Sequence, residues 1–265
     1  MYWPSVTDLS GRKSLKLNPK TKMPVHYNKE IVENLSGKKL LIKGIEYSLQ
    51  EIVGKGSYSV VYKATKDDPT AAADKMGIES DEHGDLAVKC LCKSGLVSAS
   101  QKQRQIQEIA LLRILLNSHP ERIAKLIESI EEDSMIYLVF QCYATNLFHF
   151  IISGPSIDSG LAHKLFMELL EGVDGMHQCQ IYHRDLKPEN ILLDGLNGGA
   201  EISVKIADFG LATRFSRSRD WGCGSIRYMS QECLNASRVY PSYDTAKNDI
   251  WSIGIIMINI LSQKV

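Results

Sequence analysis

Residues 183–190 carry the sequence His-Arg-Asp-Leu-Lys-Pro-Glu-Asn, and this octet decides how the rest of the chain is interpreted. It follows a long helical pattern, and Pro188 prevents that helix from continuing. Asp185 is suited to orient an attacking hydroxyl and accept its proton, and Lys187 to neutralise a transferring phosphoryl group. Asn190 offers a neutral oxygen to a hard cation. A charged surface loop is the plainer interpretation, but it does not account for the whole octet.

A further acidic position follows a short strand pattern. Residues 202–207 alternate apolar and polar side chains and lead into Asp-Phe-Gly at positions 208–210. An acid at a strand end followed by a glycine is ambiguous by itself. Together with Asp185 and Asn190, however, Asp208 completes a set of oxygen ligands that suits Mg²⁺ bound to phosphates.

Two glycines separate two strand patterns near the beginning of the regular part of the chain. Residues 54–61 read Gly-Lys-Gly-Ser-Tyr-Ser-Val-Val, and a strand pattern continues from Val60. A dinucleotide-binding turn would require a helix directly after the glycines. The pattern therefore favours a hairpin that covers phosphates over a dinucleotide-binding turn. Taken alone, the glycines are more typical of a plain tight turn.

Lys89 and Glu108 are predicted to form an ion pair. Ala87 and Lys89 share one face of a predicted strand over residues 86–92, because side chains alternate along a strand. A solvated lysine is the commoner outcome. However, Glu108 lies beside the apolar stripe of the next predicted helix, residues 101–116, where a carboxylate needs a cation partner. Lys89 can be that partner, and the small Ala87 suits a flat base with its phosphates nearby.

The order of the predicted elements indicates an α+β fold with two lobes. Strand patterns come first, and helical patterns dominate the later part of the chain. The predicted strands are 45–49, 60–64, 86–92, 123–130 and 135–142, and the predicted helices are 101–116, 161–178 and a last one that begins near Asp249.

The composition is that of an ordinary globular protein. The 265 residues include 31 basic and 31 acidic side chains, 44% apolar and 23% charged, which excludes a disordered chain, a collagen-like fibre and a disulfide-knotted miniprotein. Residues 1–44 are basic and show no sustained period, so we expect a loosely ordered extension. Because no C-x-x-C pair, secretory signal or membrane-spanning run is present, we expect a reducing intracellular compartment.

The set of motifs and their order resemble those of eukaryotic protein kinases. The order is the glycine-containing loop, the strand lysine, the helix glutamate, the octet and the Asp-Phe-Gly motif. The resemblance covers roughly residues 45–265. It implies a small β-rich lobe with a hinge over residues 45–143, a helical lobe over residues 144–265, and ATP with Mg²⁺ between them. It also implies that the last helices of the helical lobe are missing. We therefore expect apolar surface to be exposed on the final helix and the chain to be destabilised.

The resemblance implies a role for each motif position. Asp185 would be the catalytic acid–base residue, with Lys187 stabilising the transferred group. Asp208 and Asn190 would bind Mg²⁺, while Lys89, paired to the helix glutamate, would hold the nucleotide phosphates. The other positions implied to contact the nucleotide are Gly54, Lys55, Gly56, Val61, Ala87, Phe140, Gln141, Tyr143 and Leu192, with Gln141, Cys142 and Tyr143 as the hinge.

Lys187 after His-Arg-Asp-Leu is typical of the serine/threonine branch of this family. The implied reaction is transfer of the ATP γ-phosphoryl group to Ser or Thr hydroxyls of proteins, in the cytoplasm, the nucleus or both. Nucleic acid and membrane are not expected partners. Arg184 is where such enzymes often bind a phosphate of the activation segment. The candidate acceptors for an upstream kinase are Thr213, Ser216 and Ser218, although solvated loop residues explain each of them as well.

Two shorter runs narrow the resemblance further. Residues 222–225 and 248–254 are most similar to fungal kinases that couple nutrient state to growth and meiotic entry. An alternative function stays open, namely an inactive module that binds nucleotide or a partner without turnover. Only the incomplete helical lobe supports that alternative, whereas every catalytic position of the family is present.

Overall fold

The structure is a computed structural model that describes residues 34–55, 59–67, 85–93, 99–195, 201–235 and 241–265. Gly56, predicted to contact the nucleotide, lies outside these residues, as do residues 1–33 of the predicted extension. Among the described residues, no helix has the length and apolar character needed to cross a membrane.

Six antiparallel strands form the first part of the fold. They are β1 (Lys39–Ile42), β2 (Ile45–Lys55), β3 (Ser59–Lys66), β4 (Leu86–Cys92), β5 (Leu126–Glu131) and β6 (Met135–Gln141). Their order in the sheet is β1-β2-β3-β4-β6-β5. Alternate residues of the central strands, such as Tyr62, Val88 and Val139, are buried in one apolar cluster, which is why the period-2 patterns predicted these strands.

The prediction of a loosely ordered segment up to residue 44 is wrong for its last residues. Lys39–Ile42 pairs with Ile45–Ser48 as an edge hairpin, and the side chains of Leu40 and Ile42 are buried. The tight connection uses positive φ angles at Lys43 and Gly44. The sequence pattern did not reveal this strand, because only two of its positions face the core, while Lys39 and Leu41 are exposed.

The second part of the fold is mainly helical. Its helices are α2 (Leu147–Ser153), α3 (Ser159–Gln178), α4 (Gln231–Leu234) and α5 (Thr245–Ser262), preceded in the chain by α1 (Ala99–Ser118). Two small sheets accompany them, formed by β7 (Thr145–Asn146), β8 (Ile191–Asp194) and β9 (Ser203–Ile206), and by β10 (Arg217–Ser218) and β11 (Tyr243–Asp244). One apolar cluster includes residues of α1, α2, α3 and α5. The predicted α+β fold with a β-rich and a helical lobe is therefore confirmed.

The last helix begins earlier than predicted. The sequence pattern placed its start near Asp249, whereas the side chain of Asp244 accepts a hydrogen bond from the Lys247 amide at 3.0 Å and caps the helix there. Ile253, Ile256 and Ile260 are buried, while the large apolar side chains of Ile250, Trp251, Ile258 and Leu261 are exposed. The expected exposure of apolar surface on this helix is thus confirmed, and the expected destabilisation stays a prediction.

The turn that follows α1 packs against the helical part of the fold and forms a junction between the two parts. The ring of His119 lies against Gly175 of α3, and the Arg122 guanidinium contacts the Glu168 carboxylate at 2.8 Å. The next residues lie along β9, with the Ala124 amide donating to the Ile206 carbonyl at 2.9 Å. Since Asp208 follows β9 by two residues, this junction fixes the strand that leads to one of the predicted site residues.

We expect Gly175→Ala to destabilise the chain. An added Cβ would lie 2.8 Å from Cγ of the His119 ring, so the junction must shift, at a cost of about 1–3 kcal/mol. Gly254→Ala is the matched control, because it lies in α5 with no neighbouring atom within 4 Å. Urea denaturation of both variants measures the difference. Equal unfolding midpoints would contradict the close packing at Gly175.

Candidate functional site

Three charged side chains meet where the sheet faces the helical lobe. The Lys89 ammonium on β4 lies 2.7 Å from Oε1 of Glu108 on α1 and 2.9 Å from Oδ1 of Asp208. Glu108 is only 1% exposed, so its carboxylate depends on a cation for compensation. The predicted Lys89–Glu108 pair is confirmed as a contact, and Asp208 is its third member.

The charges of this cluster stabilise one another. The charge of Lys89 lowers the pKa of Asp208 to about 2, although burial acts in the opposite direction. Burial alone would lower the pKa of Lys89, but the carboxylates of Asp208 and Glu108 outweigh it and raise that pKa above its ordinary value. Near neutral pH, Lys89 is therefore an ammonium and Asp208 a carboxylate, as the binding of phosphates and a metal ion requires.

Asp208 is held in an unusual backbone conformation by its neighbours. Its φ of 62° lies in the left-handed region, which is uncommon for a residue with a side chain. The next residue, Phe209, is buried, and its ring lies 5.0 Å from that of His183. A Cβ on Gly210 would lie 3.3 Å from Oδ1 of Asp208, so glycine leaves space for the carboxylate. Packing of Phe209 thus places Asp208 beside Lys89.

The loop formed by residues 183–190, called the octet loop here, is anchored to α5 by Asp249. This carboxylate has no solvent exposure, and it accepts hydrogen bonds from the amides of His183 at 2.9 Å and Arg184 at 2.8 Å. The ring of His177 lies 3.0 Å from the same carboxylate. These contacts hold Arg184 at a φ of 66°, a conformation that persists only when its surroundings impose it.

Asp185 combines one paired and one unpaired carboxylate oxygen. Oδ2 accepts a hydrogen bond from the Lys187 ammonium at 2.9 Å, and that ammonium also donates to the Ser225 hydroxyl at 3.0 Å. The Asn190 amide donates to the Asp185 carbonyl at 2.9 Å. Oδ1 is buried and has no hydrogen-bond partner among the described residues. A buried, unpaired carboxylate oxygen is a strong acceptor for an incoming hydroxyl group.

The predicted nucleotide contacts lie along one face of the sheet. Gly54 is paired with Val61, and Val61 with Lys89, while Ala87 is paired with Phe140 on β6. Directly opposed residues of antiparallel strands project to the same side. The structure therefore brings these five positions to the face that carries Lys89.

The other described positions that were predicted to contact the nucleotide lie at the ends of β2 and β6, in the segment after β6 and on β8. Lys55 is exposed at the end of β2, and Leu192 is partly buried in β8. Tyr143 anchors the connecting segment, because its hydroxyl accepts a hydrogen bond from the Lys125 amide at 3.0 Å. The amide of Gln141 donates to the carbonyl of Lys125 at 3.0 Å, so this segment between the lobes is fixed at two points.

The donor set fits a metal ion that is shared with phosphates. In the described part of the chain, no three His, Cys, Asp or Glu side chains lie close enough to hold a metal by themselves. Asp208 and Asn190 provide one carboxylate and one amide oxygen, and the amide of Ala207 donates to the Asn190 carbonyl at 2.9 Å. Mg²⁺ is commonly bound by one or two protein oxygens together with substrate phosphates and water.

A cavity of about 470 Å³ lies next to the octet loop. Its lining includes Lys187, which contacts Asp185, and Ser225, together with Phe148, Ile226, Glu189 and Arg227. The cavity therefore combines apolar side chains with charged groups of both signs.

Two anchoring residues of the site were missed by the sequence interpretation. Asp249 was noted as the start of the last predicted helix and as part of a run resembling fungal kinases, but not as an anchor of the octet, and Asp220 was not singled out at all. Asp220 lies 3.3 Å from the Arg184 guanidinium. Neither position belongs to a local motif with the octet loop, because Asp249 lies 65 residues from Arg184 and Asp220 lies 36 residues from it. Only a folded chain brings these residues together.

Comparisons with known proteins agree with this geometry. Residues 47–265 match the family described as protein kinase domain. The chain is 38% identical over 235 residues to the Schizosaccharomyces pombe "Negative regulator of sexual conjugation and meiosis", covering 80% of this chain and 46% of that protein. It is 32% identical over 220 residues to "Serine/threonine-protein kinase ksp1" of the same organism, covering 81% and 43%. A 32% identical relative over 232 residues is "CBL-interacting serine/threonine-protein kinase 17" of Arabidopsis thaliana, covering 84% and 48%.

These relatives also define the extent of the match. The chain spans less than half the length of each of the curated relatives named here. The expected similarity to fungal kinases is confirmed by the two Schizosaccharomyces pombe proteins.

We expect Lys89→Met to reduce the free energy of unfolding by about 3 kcal/mol, because it leaves the Glu108 carboxylate buried without a cation. The double variant Lys89→Met/Glu108→Leu should recover most of this loss. Lys39→Met is the control, since it removes an exposed lysine that also contacts two carboxylates and should change stability little. Urea denaturation compares the three proteins. A double variant no more stable than Lys89→Met would contradict this explanation.

Proposed function

The chain belongs to the protein kinase family, and on that premise we propose that it transfers the γ-phosphoryl group of ATP to Ser or Thr hydroxyls of proteins. One observation carries the proposal. Asp185 has one buried, unpaired oxygen, and its other oxygen accepts a hydrogen bond from Lys187, in the same fold that joins Lys89 to Asp208. A carboxylate suited to accept a proton and a cation suited to bind phosphate therefore support the proposal. The preference for Ser and Thr rests on relatives whose names state it.

The nucleotide is proposed to lie under the sheet. Ala87 and Phe140 would contact the adenine, and Gly54, Gly56 and Val61 would cover it. The further proposed contacts to the nucleotide are Lys55, Gln141, Tyr143 and Leu192. The ammonium of Lys89 would bind phosphate oxygens, because Glu108 and Asp208 fix its position. Asp208 and Asn190 would hold Mg²⁺, which neutralises phosphate charge when bound.

The chemistry proposed for the chain's own residues is proton transfer and positioning. The substrate hydroxyl would donate its proton to Oδ1 of Asp185 as its oxygen forms a bond to the γ-phosphorus. The bond between that phosphorus and the oxygen of the leaving ADP breaks in the same step. Lys187 would stabilise charge on the transferring oxygens, since its ammonium already lies 2.9 Å from Asp185. The cavity lined by Phe148 and Ile226 would receive the substrate chain.

The proposed lobe boundaries follow from the same assignment. We place the small lobe and hinge at residues 45–143 and the helical lobe at residues 144–265, with β1 added to the small lobe. The supporting observation is the separation of the two apolar clusters, one centred on the six-stranded sheet and one on the helices.

Regulation by an upstream kinase is proposed for the activation segment, residues 208–228. The three candidate acceptors differ in access. Thr213 is buried and its hydroxyl accepts a hydrogen bond from the Phe215 amide, whereas Ser216 is exposed and Ser218 is partly buried. In this conformation, Ser216 is therefore the most accessible of the three.

A reducing compartment is proposed for the protein, the cytoplasm or the nucleus. All six cysteines are free, which supports an environment in which disulfides do not form. The balanced charge of 31 basic and 31 acidic residues supports protein substrates rather than nucleic acid or a membrane surface.

Transfer of labelled γ-phosphate from Mg²⁺–ATP to a generic Ser/Thr protein substrate tests the proposal. We expect transfer by the chain itself and a loss of roughly 10²–10⁴-fold in Asp185→Asn, which removes the proton acceptor. Asp208→Asn should also abolish transfer, because it weakens metal binding. Asp133→Asn, an exposed acid of the β5–β6 turn, is the control and should keep full activity.

Nucleotide binding distinguishes the alternative function. A folded chain that binds a fluorescent ATP analogue but shows no transfer would support the inactive binding module. A folded chain that neither binds nor transfers would contradict both functions.

A further inference from the structure

The Arg184 guanidinium is the least exposed cation that contacts the activation segment in the described part of the chain. Its side chain is only 10% exposed, and it directly precedes the proposed proton acceptor. Nε donates to the Leu211 carbonyl at 2.7 Å, and Nη1 lies 3.4 Å from the Ser218 hydroxyl. Two neutral partners do not balance a buried positive charge, so the guanidinium needs an anion.

Asp220 supplies that anion from within the chain. Its Oδ2 lies 3.3 Å from Nη1 of Arg184, and it is the only carboxylate within ion-pair distance of this guanidinium among the residues described. The side chain of Asp220 is 50% exposed, so the pair is reached by water on one side.

The backbone of Asp220 is fixed independently of the ion pair. Its amide donates to the Ser218 hydroxyl at 3.0 Å, and its carbonyl accepts a hydrogen bond from the Tyr243 hydroxyl at 3.3 Å. Ser218 and Tyr243 are in turn paired across β10 and β11. The carboxylate is therefore presented to Arg184 by a short, preorganised turn.

This turn determines how the following residues cross the octet loop. Four residues after Asp220, Gly224 lies so close to the loop that an added Cβ would be 2.3 Å from the Arg184 carbonyl. The next residue, Ser225, accepts the hydrogen bond from Lys187. The activation segment is thus held at two points. One is the Arg184 guanidinium, and the other is the hydrogen bond from Lys187 beside Asp185.

From this geometry we infer that Asp220 is a positioning residue that holds the activation segment over the octet loop, so that the segment is ordered without an added phosphate. A phosphate on Ser218 would place a second anion next to Asp220 and compete with it for one guanidinium. The inference deepens the proposed kinase function, because it names how that site is regulated.

The test uses the 265-residue chain after treatment with a broad-specificity protein phosphatase, with mass spectrometry to verify that no phosphate remains. The variants are Asp220→Asn, which removes the charge at nearly constant shape, and Asp220→Glu, which keeps it. Glu171→Gln is the control, because it neutralises a similarly exposed carboxylate that pairs with Arg122 away from the octet loop.

The first readout is limited trypsin cleavage after Arg217 and Arg219, which does not depend on catalysis. We expect the phosphate-free chain and Glu171→Gln to be cleaved slowly there, Asp220→Asn roughly tenfold faster, and Asp220→Glu at an intermediate rate. All four proteins should unfold at similar urea concentrations.

The second readout is transfer kinetics. We expect Asp220→Asn to lower kcat/KM for the protein substrate about tenfold, because the acceptor side of the site is displaced, while the KM for ATP is unchanged. Asp220→Glu should recover part of the loss.

Each outcome decides the inference. Equal cleavage rates for Asp220→Asn and Glu171→Gln would overturn it, and so would rapid cleavage of the phosphate-free chain. If no protein transfers phosphate but Asp220 still protects the segment, the kinase proposal fails and the positioning role stands.

Discussion

The buried carboxylate of Asp249 is the constraint on which the described site depends. It is removed from solvent at the amino-terminal end of α5, yet it is compensated by the amides of His183 and Arg184 and by the His177 ring. Charge-assisted hydrogen bonds of this kind are strong, and a carboxylate left without them would be costly to bury. The octet loop therefore has one low-energy position relative to the helix, and its strained Arg184 backbone is retained.

Further hydrogen bonds connect the octet loop and α5 to two neighbouring parts of the site. Towards the sheet, the ring of His183 donates to the Ala207 carbonyl at 2.9 Å, which ties the loop to the residue before Asp208. Towards the activation segment, Thr245 of α5 donates from its amide to the Ser216 carbonyl at 3.0 Å and from its hydroxyl to the Phe215 carbonyl at 2.8 Å. The Ser252 hydroxyl donates to the Tyr228 carbonyl at 2.6 Å. One helix thus holds both the octet loop and the segment that lies across it.

Much of the fold and part of the site could be predicted from the sequence. The strand over residues 86–92 was predicted with its observed ends. Helix α1 extends two residues beyond its prediction at each end, and α3 begins two residues earlier than predicted and ends as predicted, because caps such as Asp158 set the boundaries. The shared face of Ala87 and Lys89 followed from strand alternation alone. β1 was not predicted, because a four-residue edge strand with lysine at an exposed position gives too short an apolar pattern.

The sequence by itself determined which chemical groups are available and which elements carry them. The residues of a motif lie close together in the chain, and the spacing of apolar residues indicates which side chains are buried. The sequence placed a lysine on a strand, a glutamate on the next helix, and Asp185, Lys187 and Asn190 in one loop. Only the tertiary structure decided that Asp208 joins the Lys89–Glu108 pair, that Asp249 anchors Arg184, and that Asp220 balances its charge. The physical reason is that these contacts join residues 36 to 119 positions apart, and such contacts form only when burial of two apolar clusters brings distant segments together.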